Sequence, residues 1–375
     1  SSPVRPEITA TPAPRWELID FRDYASMAVQ YSRGCPFDCE FCSIVVMNGR
    51  VPRVKAPDQM LREIDSLYTA GYRGVIFIVD DNFIGNKGKV KRFLPELARW
   101  QAEHKYPFKF MTEASVNLAQ DEELMRLMSE ANFHKVFLGI ETPDVDSLKE
   151  CGKQQNVAAD IPAAIRAING HGMQVMGGFI VGFDSDTESI FERQIRFIQE
   201  NGVVTAMVGV LSAIPKTRLW KRLRDENRLL GSASGDNTDG SPNFVPRMDM
   251  DTLVGGYRRI LDTIYSTKHY YKRIGTFLKN YHPTVRGRTD AADIKAWLKS
   301  LWVIGVVSRA RFRYWLLMLK TLLTKRKAFP VAVEMAIMGR HFERMARRVI
   351  REAVALEGRA RRAAGALGER PGHEA

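Results

Sequence analysis

The 375-residue chain is predicted to be an α/β protein, a partial (β/α)6 TIM-like barrel followed by a basic, all-α C-terminal domain. Three observations lead there. Between residues 27 and 229, short apolar runs alternate six times with segments of helical period, the pattern of parallel strands joined by crossover helices. A Gly/Ser/Asp/Asn-rich stretch at 231–241 then breaks the pattern. Beyond it the sequence is helical and strongly basic. Residues 1–235 hold 29 Lys and Arg against 30 Asp and Glu, whereas 236–375 hold 27 against 13, a net of +14.

The elements follow in order. Residues 27–31 read as a strand running into a cysteine-rich loop. Met60, Leu61, Ile64, Leu67 and Tyr68 give 57–70 a helical face that stops at Gly71. Val75-Ile76-Phe77-Ile78-Val79 is a continuous apolar run of the kind buried parallel strands show. A helix at 90–100, a strand at 108–114 and a helix at 121–129 come next, the last with an acidic first turn that suits the helix dipole. Strands at 136–140, 175–181 and 206–211 alternate with helices at 158–168, 189–199 and 215–229. Five helices are expected after the boundary, at 253–265, 271–278, 294–307, 311–323 and 331–352. The domain reading is a linker at 1–25, the barrel at 26–230, a linker at 231–245, the helical domain at 246–355 and a flexible tail at 356–375. The chain opens Ser1-Ser2-Pro3 with no methionine, and residues 1–14 contain four prolines, so a preceding segment is expected.

A composition of 45% hydrophobic and 26% charged residues is that of a globular protein. No apolar run of 18 residues and no secretory leader is present, and four cysteines, three of them clustered, do not suggest a disulfide scaffold. The expected location is the cytoplasm. The basic C-terminal part suits an anionic partner (a membrane surface, nucleic acid or an acidic protein) or is a solvated basic helical surface.

Chemistry concentrates in Cys35-Pro36-Phe37-Asp38-Cys39-Glu40-Phe41-Cys42, spaced C-x3-C-x2-C. A structural zinc takes four protein ligands, and an ordinary ferredoxin cluster takes four cysteines. Here there are three, and Cys151 is far away. Three thiolates can hold a [4Fe–4S] cluster with one iron open. A zinc knuckle with a distant ligand, or a redox-sensing cysteine group, are the alternatives. Barrel sites use the C-terminal ends of strands. There the sequence places Asp80-Asp81-Asn82, then Glu113, then Glu141, all costly to bury unless paired. Asp81 or Asn82 could instead cap a helix, and Glu141 could pair with Arg33 or Arg53.

The cysteine motif with Phe41 before its last member resembles the signature of radical S-adenosylmethionine (SAM) enzymes. Gly49-Arg50-Val51-Pro52-Arg53, Val79-Asp80-Asp81-Asn82-Phe83 and Gly139-Ile140-Glu141-Thr142-Pro143-Asp144 are similar to a cobalamin-linked branch that includes hopanoid C-2 methylases. The resemblance covers about residues 14–350. It implies that Cys35, Cys39 and Cys42 are the cluster ligands and catalytic centre, with SAM on the open iron. It assigns Asp80, Asp81, Asn82 and Glu113 to SAM and Glu141 to its ribose. Gly178, Ile180 and Gly182 of strand five, and Ile214 after strand six, stand at the adenine. The sequence departs from the family's Gly-Gly-Glu at 80–82.

The branch further implies a cobalamin-binding domain before the barrel, and an electron donor such as flavodoxin or ferredoxin. The implied reaction is cobalamin-dependent methylation of an unactivated carbon in a lipid-like or other small-molecule substrate. Radical rearrangement or oxidation without methyl transfer is the alternative. RNA modification ranks lower, since the extra cluster cysteines and the β-barrel module of RNA methylthiotransferases are not found. In the helical domain, Phe312, Trp315, Leu316, Leu319 and Leu323 form an apolar stripe flanked by Arg and Lys. It either packs on the barrel or meets a membrane.

Overall fold

The computed structural model describes residues 6–368 except 234, 236–239, 241 and 288–290. Six parallel strands form one sheet in chain order: β1 (Met27–Val29), β2 (Gly74–Ile78), β3 (Phe108–Ala114), β4 (Phe133–Glu141), β5 (Gln174–Val181) and β6 (Thr205–Val210). Each strand pairs with its chain neighbours, as in Val29 opposite Ile78, Ile78 opposite Thr112 and Ala114 opposite Leu138. Crossovers between parallel strands are right-handed. Strands added always in the same direction therefore leave the helices on one face, and the sheet curls about the other into an open barrel.

Burial follows that curl. On β3, Phe108, Phe110, Thr112 and Ala114 are buried, while Lys109, Met111 and Glu113 are half-buried. On β4, Val136, Leu138 and Ile140 are buried beside half-buried Lys135, Phe137 and Gly139. Met176, Gly178 and Ile180 continue the half-buried row on β5. The concave face thus stays partly open.

The helices start where side chains take their free amide groups. Asn86 accepts from Lys89 N at 3.1 Å, Asp121 from Leu124 N at 3.1 Å and Asp160 from Ala163 N at 2.9 Å. The segment expected to be helical from residue 158 thus begins at Ile161, behind Asp160. The helix expected from 215 begins later, at Arg218, because the Thr217 hydroxyl and amide both turn back to Ile214 O. It ends at Asp225, and Leu229 instead bridges to Phe244.

The described part of the expected linker at 1–25 lies against the barrel. Ile8 is buried, Trp16 Nε1 donates to Ser66 Oγ at 2.9 Å, and the Phe21 ring sits 5.3 Å from Tyr72.

The helices Met250–Tyr265, Thr267–Asn280, Ala291–Val303, Arg311–Thr324 and Phe329–Gly368 follow the boundary. The last continues through the stretch expected to be a flexible tail, as far as Gly368. Tyr265 Oη donates to Ala206 O at 2.5 Å and so covers the β6 edge. Arg273 is fully buried and donates to Gln199 Oε1, Ile264 O and Val204 O. Gly202 lies at φ +66°, where a Cβ would stand 2.7 Å from Phe277 N, so the backbones meet there only because it is glycine. Asn132 exchanges hydrogen bonds with the Arg286 backbone, and Lys135 pairs with Glu334. These contacts lie at the strand starts. The helical region therefore packs at the N-terminal end of the barrel, while the helix Met250–Tyr265 also reaches the opposite end, where Leu253 lies against Gly182.

Candidate functional site

β1 delivers the chain into the cysteine loop, and a two-residue ribbon, Ser32–Arg33 against Arg53–Val54, closes it. Gly34 lies at φ +106°, with Gly49 O and Val51 O each 3.0 Å from where a Cβ would be. Cys35 N donates to Gly49 O at 3.2 Å and Cys42 N to Cys39 O at 3.1 Å. The far side of the loop is held by other elements. Glu40 N donates to Cys151 O at 2.8 Å, Leu219 N to Glu40 O at 3.0 Å, and Arg218 to Asp38 O at 2.6 Å. The Arg222 guanidinium joins Glu40 at 2.8 Å to Asp184 at 2.7 Å. Phe41 sits 6.3 Å from Phe183 and packs, with Ile180, on a small apolar cluster that includes Cys151 and Leu211.

The turn after β2 braces this loop. Asp80, 1% exposed, accepts from Tyr31 N at 2.7 Å and Ser32 Oγ at 2.6 Å. Burial pushes its carboxyl up to about 7, although both donors pull it down. Asp81 accepts from Gly34 N at 2.8 Å and Asn48 Nδ2 at 2.9 Å. Asn82 Nδ2 lies 3.8 Å from Cys35 Sγ and 3.1 Å from Ser115 Oγ. Both aspartates thus already serve the loop that carries the cysteines, and neither caps a helix.

The two glutamates differ. Glu113 is half-buried on the concave face, and its carboxyl is pushed up by burial and by the nearby Asp81 charge. Among the described residues, no hydrogen-bond donor to its carboxylate is found. Glu141 is paired with Lys153 rather than with Arg33, which bonds Gln30, or Arg53, which bonds Pro6 O. A register shift after Gly139 and φ +64° at Glu141 turn that carboxylate inward. A Cβ at Gly139 would stand 2.6 Å from Lys153 Nζ, so a larger residue there would displace the Lys153 ammonium. The Lys153 ammonium also stands 6.0 Å from the Phe41 ring.

On β5, a Cβ at Gly178 would stand 2.9 Å from Phe137 Cζ, so the flat ring beside this glycine is the chain's own Phe137. Gly182 at φ +102° donates to Asp186 Oδ2 at 2.8 Å. Ile214 is 39% exposed at the rim. The Ala213 backbone beside it is held through both N and O by the Asn243 amide, at 2.8 and 3.0 Å.

The sequence-predicted residues therefore lie in the cysteine loop, in the later part of the strands or in the turns that follow them. Lys153, Gln155 and Asn243 were not found from the sequence. They lie in polar segments, Gln155 in the short helix Gln154–Val157, and only the fold brings them to the site. Cys151 is buried, its thiol donating to Leu148 O and its carbonyl accepting from Glu40 N of the cysteine loop. His134 and His171 bond backbone carbonyls near helix and strand ends.

The donor set fits an iron–sulfur cluster. Cys35, Cys39 and Cys42 are free thiols, and amide donors of Asn82 and Gln155 approach two of the sulfurs at 3.8 and 3.9 Å. Among the described residues, no three ligating side chains converge where one ion would sit. A cubane takes each thiolate on a different iron. Burial pushes the Cys39 thiol up and the Cys42 thiol to about 11, so these thiols would release protons on binding iron. Among the described residues Gln155 Oε1, beside Cys39, is buried without a partner, an acceptor that a bound ligand could satisfy.

Residues 29–198 match the Radical SAM superfamily, and residues 217–355 match a domain of unknown function, DUF4070. The chain is 45% identical over 316 residues to an uncharacterized methyltransferase of Synechocystis sp., covering 83% of this chain and 59% of that protein. It is 34% identical over 328 residues to the hopanoid C-2 methylase of Rhodopseudomonas palustris, covering 85% of this chain and 61% of that one. It thus spans about three fifths of each relative's length. The radical SAM methyltransferase TsrM from Kitasatospora setae, solved with cobalamin and a [4Fe-4S] cluster, shares the fold at TM-score 0.53 and 14% identity, over 86% of this chain and 63% of that one. The three-cysteine loop at the mouth of the open parallel barrel and these likenesses agree: the chain belongs to the radical SAM superfamily, whose cofactors are a [4Fe–4S] cluster and SAM.

Proposed function

We propose that this chain forms the cluster-bearing part of a C-methyltransferase. It would cleave SAM reductively to a 5′-deoxyadenosyl radical and so allow methylation of an unactivated carbon in a lipid-like or other small molecule. The observation that supports this most is the three-cysteine rim in a chain 34% identical to a hopanoid C-2 methylase. Cys35, Cys39 and Cys42 would hold the cluster, which supplies the electron that splits the sulfonium. Glu113, with no donor among the described residues, is the carboxylate placed to take the SAM ammonium, by a charge-assisted hydrogen bond. The Asp80 and Asp81 carboxylates, Asn82 and Phe41 would fix the loop, and Lys153 would orient Glu141 towards the ribose. Gly178, Ile180, Gly182 and Ile214 would border the adenine. The half-buried concave face would exclude water from the radical.

Cobalamin would serve as the methyl carrier. Among the described residues there is no second α/β domain to hold it. An electron donor such as flavodoxin or ferredoxin and a peripheral membrane contact belong to the same reading, with a cytoplasmic location.

Reconstituted, reduced protein supplied with SAM and cobalamin tests it. Methyl transfer yields S-adenosylhomocysteine together with 5′-deoxyadenosine. 5′-Deoxyadenosine alone, with a converted substrate, would point to rearrangement or oxidation. Neither product would overturn both.

A further inference from the structure

The helix Arg311–Thr324 has two apolar faces. One packs inward through Tyr314, Leu317, Met318 and Thr321, all under 9% exposed. The opposite face carries Phe312, Leu316, Leu319 and Leu323, which are 75%, 67%, 58% and 71% exposed. Trp315 adds a half-exposed ring whose Nε1 is fixed to Gly305 O at 2.9 Å. Trp302, on the helix Ala291–Val303, is also 65% exposed. The alternative in which the stripe packs on the barrel is thus not what the fold does, because the stripe is exposed and the helix packs through its other face on the helices Thr267–Asn280 and Phe329–Gly368.

Between Arg309 and Lys327 there are seven basic residues and no acidic one. Lys325 is occupied, its ammonium donating to Leu278 O, Lys279 O and Tyr281 O. Arg309, Arg311, Arg313, Lys320, Arg326 and Lys327 are exposed beside the ridge. A large exposed apolar ridge marks an interaction surface. A ridge of Phe, Trp and Leu between cations is what an interfacial helix offers to anionic lipid.

We propose that this face docks on an anionic lipid bilayer, with the ridge in the headgroup–acyl boundary and the six exposed cations against the lipid charges. Charge complementarity selects that occupant, since a second copy of the chain would bring the same cations against themselves. The inference rests on the lipid-like-substrate reading only for why a membrane is visited. Its test involves no chemistry, so either can fail without the other.

The test is co-sedimentation of the full chain with vesicles of phosphatidylcholine alone, or with one-third phosphatidylserine. Binding to the anionic vesicles, weak binding to the neutral ones and loss at high salt are expected. Arg313→Gln and Lys320→Gln should each lower partitioning about five-fold. Leu316→Ser/Leu323→Ser should abolish it while unchanged circular dichroism shows a folded chain. Equal binding to both vesicles, or to neither, overturns the proposal. So does a vesicle-free dimer that Leu316→Ser/Leu323→Ser breaks into monomers, which would make the ridge a protein interface.

Discussion

The Lys153 ammonium is ion-paired with the Glu141 carboxylate inside the barrel mouth, with the two side chains only 11% and 9% exposed. Burial works against the lysine charge, but the Glu141 carboxylate and the nearby Cys39 outweigh it, so its pKa is raised. Removing one partner of such a pair leaves the other charged and dry, at a cost of about 3–5 kcal/mol. Lys153→Met and Glu141→Gln should each lower stability on that scale in urea unfolding. Lys153→Met/Glu141→Leu should recover most of the loss. Losses that simply add in the double variant would contradict the coupling.

The carboxylates of the rim separate by partner. Glu113→Ala should weaken SAM binding about 10- to 150-fold, the worth of one hydrogen bond to a charged group, with iron content unchanged. Asp81→Ala removes the acceptor of Gly34 N and Asn48 Nδ2 and should lower bound iron itself. Equilibrium dialysis and iron assay separate the two. Normal SAM affinity in Glu113→Ala would return the role to the 80–82 turn.

His134 supplies a pH test. Burial pushes its pKa down to about 3 from an ordinary 6.5, with Nδ1 bonded to Phe110 O at 2.9 Å. The unfolded chain binds the proton that the folded one rejects. The stability is therefore complete above pH 6.5 and is lost as pH falls from there towards 3, by up to about 1.4 kcal/mol per unit. His134→Gln should flatten that slope over the same window. An unchanged slope would assign the acid sensitivity to other groups.

The strand–helix order was legible because buried parallel strands are continuous apolar runs and the covering helices keep a helical period. Val75 to Val79 and Phe108 to Ala114 read directly. The cysteine loop was legible because its motif is local, with three cysteines within eight residues. The partners at the rim were not. Lys153 follows Glu141 by 12 residues, in a polar turn with no period, and the pairing depends on a backbone shift at Gly139. Asn243 reaches Ala213 across the domain boundary, and Tyr31 N reaches Asp80 across a barrel unit. The stripe at 312–323 read as one amphipathic face because period alone cannot say which of two apolar faces finds a partner.

The central claim is that Cys35, Cys39 and Cys42, and not Cys151, carry the redox centre that cleaves SAM. Iron content and 5′-deoxyadenosine formation, measured together on Cys39→Ala and Cys151→Ala after reconstitution, test it most directly. Cys39→Ala should lose both the intact cluster and 5′-deoxyadenosine, and Cys151→Ala should keep both. A Cys39→Ala protein with a normal cluster and undiminished SAM cleavage would contradict the account.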